Sequence, residues 1–568
     1  MGPRATLGGD IITAMLDRLP GWLPALLVLA GLLIGLGLRR SLRRRVARRA
    51  DFGAALERDR DPERAGRLRA LRAVHEPDAY HDEQVWRDLD MDLVIGVLDR
   101  TTSWVGLQVL RDQLSRRDTS DAERAAIERA TDFMINDPQR REWYAARLDA
   151  LGEWSANSLC NLFWGATPPV PWFRPALRVA SLAMVASLVA IVWKPAMFVV
   201  AIGIATINLA VKSVLNSRIE PWLPAMRSLP DFLRVATTFA GARDEALAPA
   251  LDLLRSRGQE LPRLRRSVRW AGLRAPDQGA LAGTIAEFRV AVREVVNLLF
   301  LSDVNAFYTL SSQLSAYAPA ARDAFLAIGR IDMAIALASF RASGATVTRP
   351  EWGEPRSLMV EGLVHPLVAE PVAASPAIAG RSWLVTGSNM SGKSTFLRAL
   401  GVGALMARSL GMVCATRWRG APFRVLTCIG RSDAVAEGRS YYLAEVERVR
   451  LLLDAASGPV PCLFLLDELF RGTNTPERVA ASLAVLEHLD RVPHLVVVAT
   501  HDLELLEWLG SRYESWHFRE QVQDDGLTFD YALRPGASST RNAIALLEVM
   551  RYPAAVVARA RAVVDGRG

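Results

Sequence analysis

Gly387-Ser388-Asn389-Met390-Ser391-Gly392-Lys393-Ser394, followed by Thr395, has the spacing G-x-x-x-x-G-K-[ST]. In this pattern the glycines let backbone N–H groups wrap phosphate oxygens, and the start of the following helix adds positive potential. Lys393 is placed to reach the β- and γ-phosphates of ATP, and Ser394 to offer its hydroxyl to Mg2+. A second run, Cys462-Leu-Phe-Leu-Leu, ends in Asp467-Glu468, as a buried parallel strand does when it delivers carboxylates to its C-terminal edge. Asp467 suits Mg2+, and Glu468 suits activation of the attacking water. A third apolar run, Leu495 to Thr500, ends at His501 and would put an imidazole on the same edge, where γ-phosphate sensing is the expected role.

Positioning these groups requires a sheet, and Trp383–Thr386 reads as the strand before the loop, with Thr395–Ala407 as the helix after it. Elsewhere, apolar residues at three- and four-residue spacing predict helices within 84–153, 228–257 and 281–343. The expected fold is an α/β P-loop domain joined to an all-α part. A chain of 568 residues calls for about three or four domains at roughly 150 residues each. Half the residues are apolar and the mean hydropathy is slightly positive, as for a soluble body with a few membrane anchors. Cys160, Cys414, Cys428 and Cys462 stand far apart with no Cys-x-x-Cys spacing, which argues against a zinc site or a disulfide framework.

The net charge of +8 owes much to Arg39, Arg40, Arg43, Arg44, Arg45, Arg48 and Arg49, which directly follow an uncharged run at 21–38. That run is long enough for one helical span, and charges after it predict an anchor with its N-terminus outside and the body in the cytoplasm. Runs 179–193 and 195–211, parted by Lys194 and Pro195, predict a transmembrane hairpin; the alternative is a helical pair buried in a soluble domain. A second basic cluster, Arg255, Arg257, Arg263, Arg265, Arg266, Arg269 and Arg274, reads first as a solvated or headgroup-facing surface and second as a DNA contact.

TGSNMSGKST, IGRSDAVAEGRSYYLAEV, LLDELFRGTNTPER and ATHDLEL, in that order, resemble the successive motifs of the MutS family ATPase domain. MDLVIGVLDRTTSWVGLQVLRDQL and AIGRIDMAIALASFRA resemble that family's core segment and lever helix, so the likeness covers roughly residues 80–568. It implies an ABC-type ATPase using ATP and Mg2+, and a homodimer in which Ser440 completes the partner's nucleotide site in trans. The implied layout is an N-terminal membrane anchor (1–50), helical core (51–177), transmembrane hairpin (178–212), core and lever (213–350), and MutS-like ATPase domain (351–568). Dimerisation helices are expected at about 541–565.

The chain departs from the family's DNA-repair members before residue 80, where no mismatch-reading domain fits. Two readings follow. One is an ATPase at the cell membrane, its ATPase body cytoplasmic, with DNA binding of the mismatch-repair type through 255–274. The other is a mechanochemical switch acting on an unidentified protein or on the membrane, without DNA. A transporter is disfavoured, since three short spans make a poor pathway and no LSGGQ-type signature occurs.

Overall fold

A computed structural model describes residues 39, 43, 46–54, 60–151, 159–270, 292, 294–387, 391–430, 441–491, 493–523, 526–537, 544, 547–548 and 550–564. The expected span at 21–38 lies outside them. The chain divides into two compact units built from interleaved segments: Met1–Phe52, Pro168–Leu223 and Ser267–Gln313 form one, and the remainder forms the other.

In the first unit, helices Arg174–Ala190 and Met197–Ile219 form a hairpin whose connection carries Lys194-Pro195. Apolar side chains lie on both its covered and its open faces. Leu177, Met184, Ala201, Leu215 and Ile219 are buried together with Ser187 and Asn208, while Leu182, Val189, Phe198, Val199 and Ile207 are exposed. The buried polar groups are satisfied locally: Ser187 Oγ donates to Met184 O at 2.8 Å, and Asn208 Nδ2 to Leu299 O at 2.7 Å. Among the described residues, one helical run, 197–240, is long and apolar enough by length and composition to cross a membrane. The partner helix, Arg174–Ala190, has 17 residues.

The second unit holds two sheets. Strands β1 (Pro350–Trp352), β2 (Ser357–Glu361), β3 (Ala377–Ala379) and β5 (Arg417–Gly420) form a small sheet in the order β1-β5-β2-β3. The larger sheet comprises β4 (Ser382–Thr386), β6 (Arg424–Cys428), β7 (Cys462–Asp467), β8 (Leu495–Ala499), β9 (Tyr513–Gln523) and β10 (Gly526–Pro535), ordered β10-β9-β4-β8-β7-β6. Its pairings are parallel except β10 with β9. Strands β4 and β8 are buried throughout, and β7 is buried up to Asp467, so their apolar side chains fill both faces of the sheet. All three strands end on one edge.

The predicted helical regions are helical where described. Residues Ser302–Arg341 form one helix that continues through Pro319. Its Asp332 is fully buried and accepts hydrogen bonds from Thr102 N (2.8 Å), Ser103 N (2.8 Å) and Ser103 Oγ (2.6 Å), fixing Ser103, the residue that caps the helix Trp104–Ser115. Burial pushes the Asp332 carboxyl up to about 6, although these donors oppose the shift. Gly106 and Gly329 permit the close approach, because a Cβ on either would overlap Asp332 or Val109. Gln113 Nε2 then donates to Ser409 O at 3.1 Å, tying this helix to the one that follows the phosphate-type loop.

Candidate nucleotide site

Strand β4 leads into Gly387, and the helix Lys393–Leu410 starts immediately after Gly392. The two glycines have φ of 139° and 108°, conformations that L side chains rarely adopt. A Cβ at Gly387 would also lie 2.8 Å from Phe518 O. Lys393 is buried and its Nζ donates to Gly387 O at 2.6 Å, so the ammonium is folded over the loop. Ser391 is buried and Thr395 is exposed on the first helical turn. Ser388, Asn389 and Met390 lie outside the described residues.

The carboxylates arrive as the strand pattern predicts. Ser394 Oγ donates to Asp467 Oδ2 at 2.6 Å, bringing a hydroxyl and a carboxylate to one point beside the loop. Beyond Asp467 the backbone turns sharply: Glu468 and Phe470 have φ of 52° and 59°, in the left-handed region that non-glycine residues seldom occupy. Glu468 N donates to Ala499 O at 2.9 Å, fixing the turn to the end of β8. Its carboxylate lies 2.8 Å from Arg471 Nε and 3.2 Å from His501 Nδ1, ion-pair separations without hydrogen-bond alignment. Burial acts to raise the Glu468 carboxyl, but His501, Arg471 and Lys393 outweigh it and hold it below the usual glutamate range. Contact with Glu468 raises His501 above its ordinary value, and Asp502 adds to this. Asp502 is itself paired with Arg478, at 3.0 Å through Nε and 2.5 Å through Nη2.

Lys393, Ser394, Asp467, Glu468 and His501 therefore meet at the C-terminal edge of the sheet. Ser440, expected to act on a partner's site, lies outside the described residues. The helix after it, Tyr441–Ala456, carries buried Glu445, which accepts Phe470 N at 2.5 Å and so braces the turn that presents Glu468.

Two side chains with no role assigned from the sequence also belong here. Arg471 spans both acids, lying 3.5 Å from Asp467 as well as 2.8 Å from Glu468; its place three positions after Glu468 was the available signal. Tyr531 sits in the register shift of β10 with φ of 51°, its Cδ1 3.3 Å from where a Gly392 Cβ would be, and its ring half exposed. An aromatic face beside a phosphate loop is placed to receive a base. A strand irregularity puts it there, and apolar alternation does not reveal that.

The loop, the strand-end acids and the sheet order define a P-loop nucleotide-binding domain. Residues 383–566 match MutS domain V. Similar curated proteins include the DNA mismatch repair protein MutS of Rhizobium meliloti (strain 1021), 30% identical over 297 residues, or 49% of this chain and 32% of that protein. A protein of the same name from Thermus thermophilus is 33% identical over 289 residues, 50% of this chain and 35% of that one. That from Natronomonas pharaonis is 31% identical over 271 residues, 46% and 31% of the respective chains. Through this domain the chain belongs to the MutS family. The matched stretch spans about a third of each relative's length.

Proposed function

We propose that the chain is a MutS-type ATP hydrolase that works as a homodimer at the cell membrane, its ATPase body on the cytoplasmic side. The observation that carries the enzymatic part is the convergence of Lys393, the Ser394–Asp467 pair and Glu468 at one strand edge. A hydroxyl and one carboxylate form the small oxygen set that suits Mg2+, which takes its remaining ligands from phosphate and water. Bound there with ATP, Mg2+ would offset charge on the phosphate oxygens. Lys393 leaves its hold on Gly387 O to engage the β- and γ-phosphates. Glu468, kept ionised by its cationic neighbours, orients the attacking water and draws its proton. His501, held by Glu468 and Asp502, faces the γ-phosphate position. Mg2+-dependent ATP turnover by the full chain, lost in Lys393→Ala, tests this; turnover unchanged in that variant would defeat it.

The relatives' names make DNA the first ligand to test. In the predicted basic cluster, Arg255 pairs with Asp252, and Arg257 pairs with Asp323 and Glu260, so part of that charge is spent internally. Arg274 and the Arg269 side chain lie outside the described residues. DNA affinity that falls steeply with salt supports the DNA reading, and a weak, flat response removes it. The alternative, a switch acting on a membrane or protein partner, draws support from the exposed apolar side chains of the hairpin Arg174–Ala190 and Met197–Ile219. A reporter inserted at residue 194 should fall outside the cytoplasm; a cytoplasmic reporter would argue against insertion.

A further inference from the structure

At the sheet edge opposite Lys393, positive charge gathers in excess of the acids beside it. Strands β6 and β7 begin side by side there, with Arg424 paired to Cys462. The bridge Tyr80↔Arg116 is flanked by Arg117 N donating to Ala79 O (2.7 Å) and His81 N donating to Ser115 O (2.9 Å), which sets His81 beside Arg117. Helix Glu83–Asp88 then follows β6: Asp88 accepts Ile429 N at 2.9 Å, and Arg448 links Thr427 O to Asp82. His81, at the start of this run, thus lies toward Arg424. Arg408 reaches the same corner, its Nη1 donating to Pro422 O at 2.7 Å.

Of the acids nearby, Asp118 pairs with Arg408 within the cluster itself and Asp82 pairs with Arg448 beside it. Among the described residues the side chains of Arg117 and Arg424 have no hydrogen-bond or ion-pair partner. Arg117 Nε and His81 Nε2 are buried without one, and His81 as a whole is 5% exposed. Burial first, then Arg408, Arg117 and Arg424, push the imidazole down to about 3, so it is neutral. Burial likewise lowers Arg424, and Arg117 adds to the shift, against a weaker opposing pull from Cys462, Asp82 and Asp118. Partly buried cations facing one another are costly unless an anion joins them.

We propose that His81, Arg117, Arg408 and Arg424 bind a phosphate group, carried by inorganic phosphate or by a small phosphomonoester, at a site separate from the nucleotide loop. A tetrahedral dianion matches the donor set. Two unpartnered guanidiniums and an imidazole N–H offer more hydrogen bonds than one carboxylate accepts, and arginine forks fit phosphate oxygens in pairs. The site is not an extension of the loop. The five residues of β6 put about 16 Å of strand between this corner and the edge that bears Asp467. His81 and Arg117 come from the helical part, Arg408 from the helix Lys393–Leu410 and Arg424 from β6, so a bound phosphate would join the helical part to the α/β part within one compact unit.

The test is calorimetric titration of the full chain at constant ionic strength in a Lys393→Ala background, which disables the loop, with inorganic phosphate, methyl phosphate and acetate as probes. Saturable phosphate binding is expected, weakened at least tenfold by Arg424→Gln or Arg117→Gln. Without phosphate both variants should unfold at the same temperature as their parent or a higher one, since each removes an uncompensated cation; this separates the proposal from a purely structural role. A methyl phosphate response points to a monoester, and a response to inorganic phosphate alone points to the free ion. No saturable phosphate binding, equal binding of acetate, or an unchanged response in both arginine variants would overturn the assignment.

Discussion

Replacing Glu468 with Gln keeps the shape of the side chain while deleting the charge proposed to draw a proton from water. The residue is held in place independently of that charge, by its left-handed backbone, the bond from its N–H to Ala499 O and the brace from Glu445 to Phe470 N. The loss should therefore fall on chemistry rather than on binding or folding. A positioned general base is worth about 10²–10⁴ in rate, or roughly 3–5 kcal/mol on the barrier. Nucleotide affinity should hold or rise, because a carboxylate no longer faces the γ-phosphate. Single-turnover ATP hydrolysis read beside equilibrium nucleotide binding separates the two. The same variant should return the raised His501 pKa toward its ordinary 6.5, visible in an NMR titration. In the wild type the raised His501 favours folding fully below about pH 6.5 and loses that contribution as pH climbs through its folded value. The lowered Glu468 contributes above about pH 4.5 and loses its share as pH falls through its own folded value. A rate drop of less than about tenfold, or nucleotide binding lost along with hydrolysis, would refute the role given to Glu468.

Tyr531→Ala should weaken nucleotide binding by about tenfold while the rate at saturation stays within a few-fold, and an equal effect on inorganic triphosphate would show that the ring does not meet a base. Gly106→Ala should cost about 2–4 kcal/mol in denaturant unfolding, because its methyl group would overlap Asp332 in a closely packed helix pair. Lys393→Ala and Ser440→Ala homodimers should each be inactive, yet exchange should restore up to about a quarter of wild-type sites, since mixed dimers contain one site with both groups intact. Verified exchange with no recovery would mean either that Ser440 acts within its own chain or that both sites must be whole to turn over; ATP-dependent dimerisation of the 355–568 fragment with and without Ser440→Ala separates the two.

The convergence of the candidate site's residues was legible where chemistry is written into strand ends. Apolar runs closing in Thr386, Asp467-Glu468 and Thr500-His501 are short, local and buried on both faces, and parallel pairing brings their ends together. The contributions of Tyr531 and Glu445 were not legible as geometry, because one depends on a register shift in an antiparallel pair and the other on a backbone N–H in a left-handed turn. The basic cluster at 255–274 shows another limit: sequence counts charges but does not reveal that Arg257 closes on Asp323, 66 positions away. The corner of His81 and Arg424 went unnoticed for the same reason, its members being spread over more than 300 positions.

The hydrogen bond between Glu445 and Phe470 N carries a consequence for timing. Glu445 lies five positions after Ser440 in the chain, and Phe470 lies two after Glu468. Should Ser440 act on the partner's site as the family likeness implies, each protomer would read its neighbour's nucleotide with one end of a short mechanical linkage and set its own proposed water-activating group with the other. A dimer wired in this way has reason to fire its two sites in turn: once one nucleotide is spent, the partner's Ser440 loses its contact, and the strain reaches that partner's own Glu468 through a single bond.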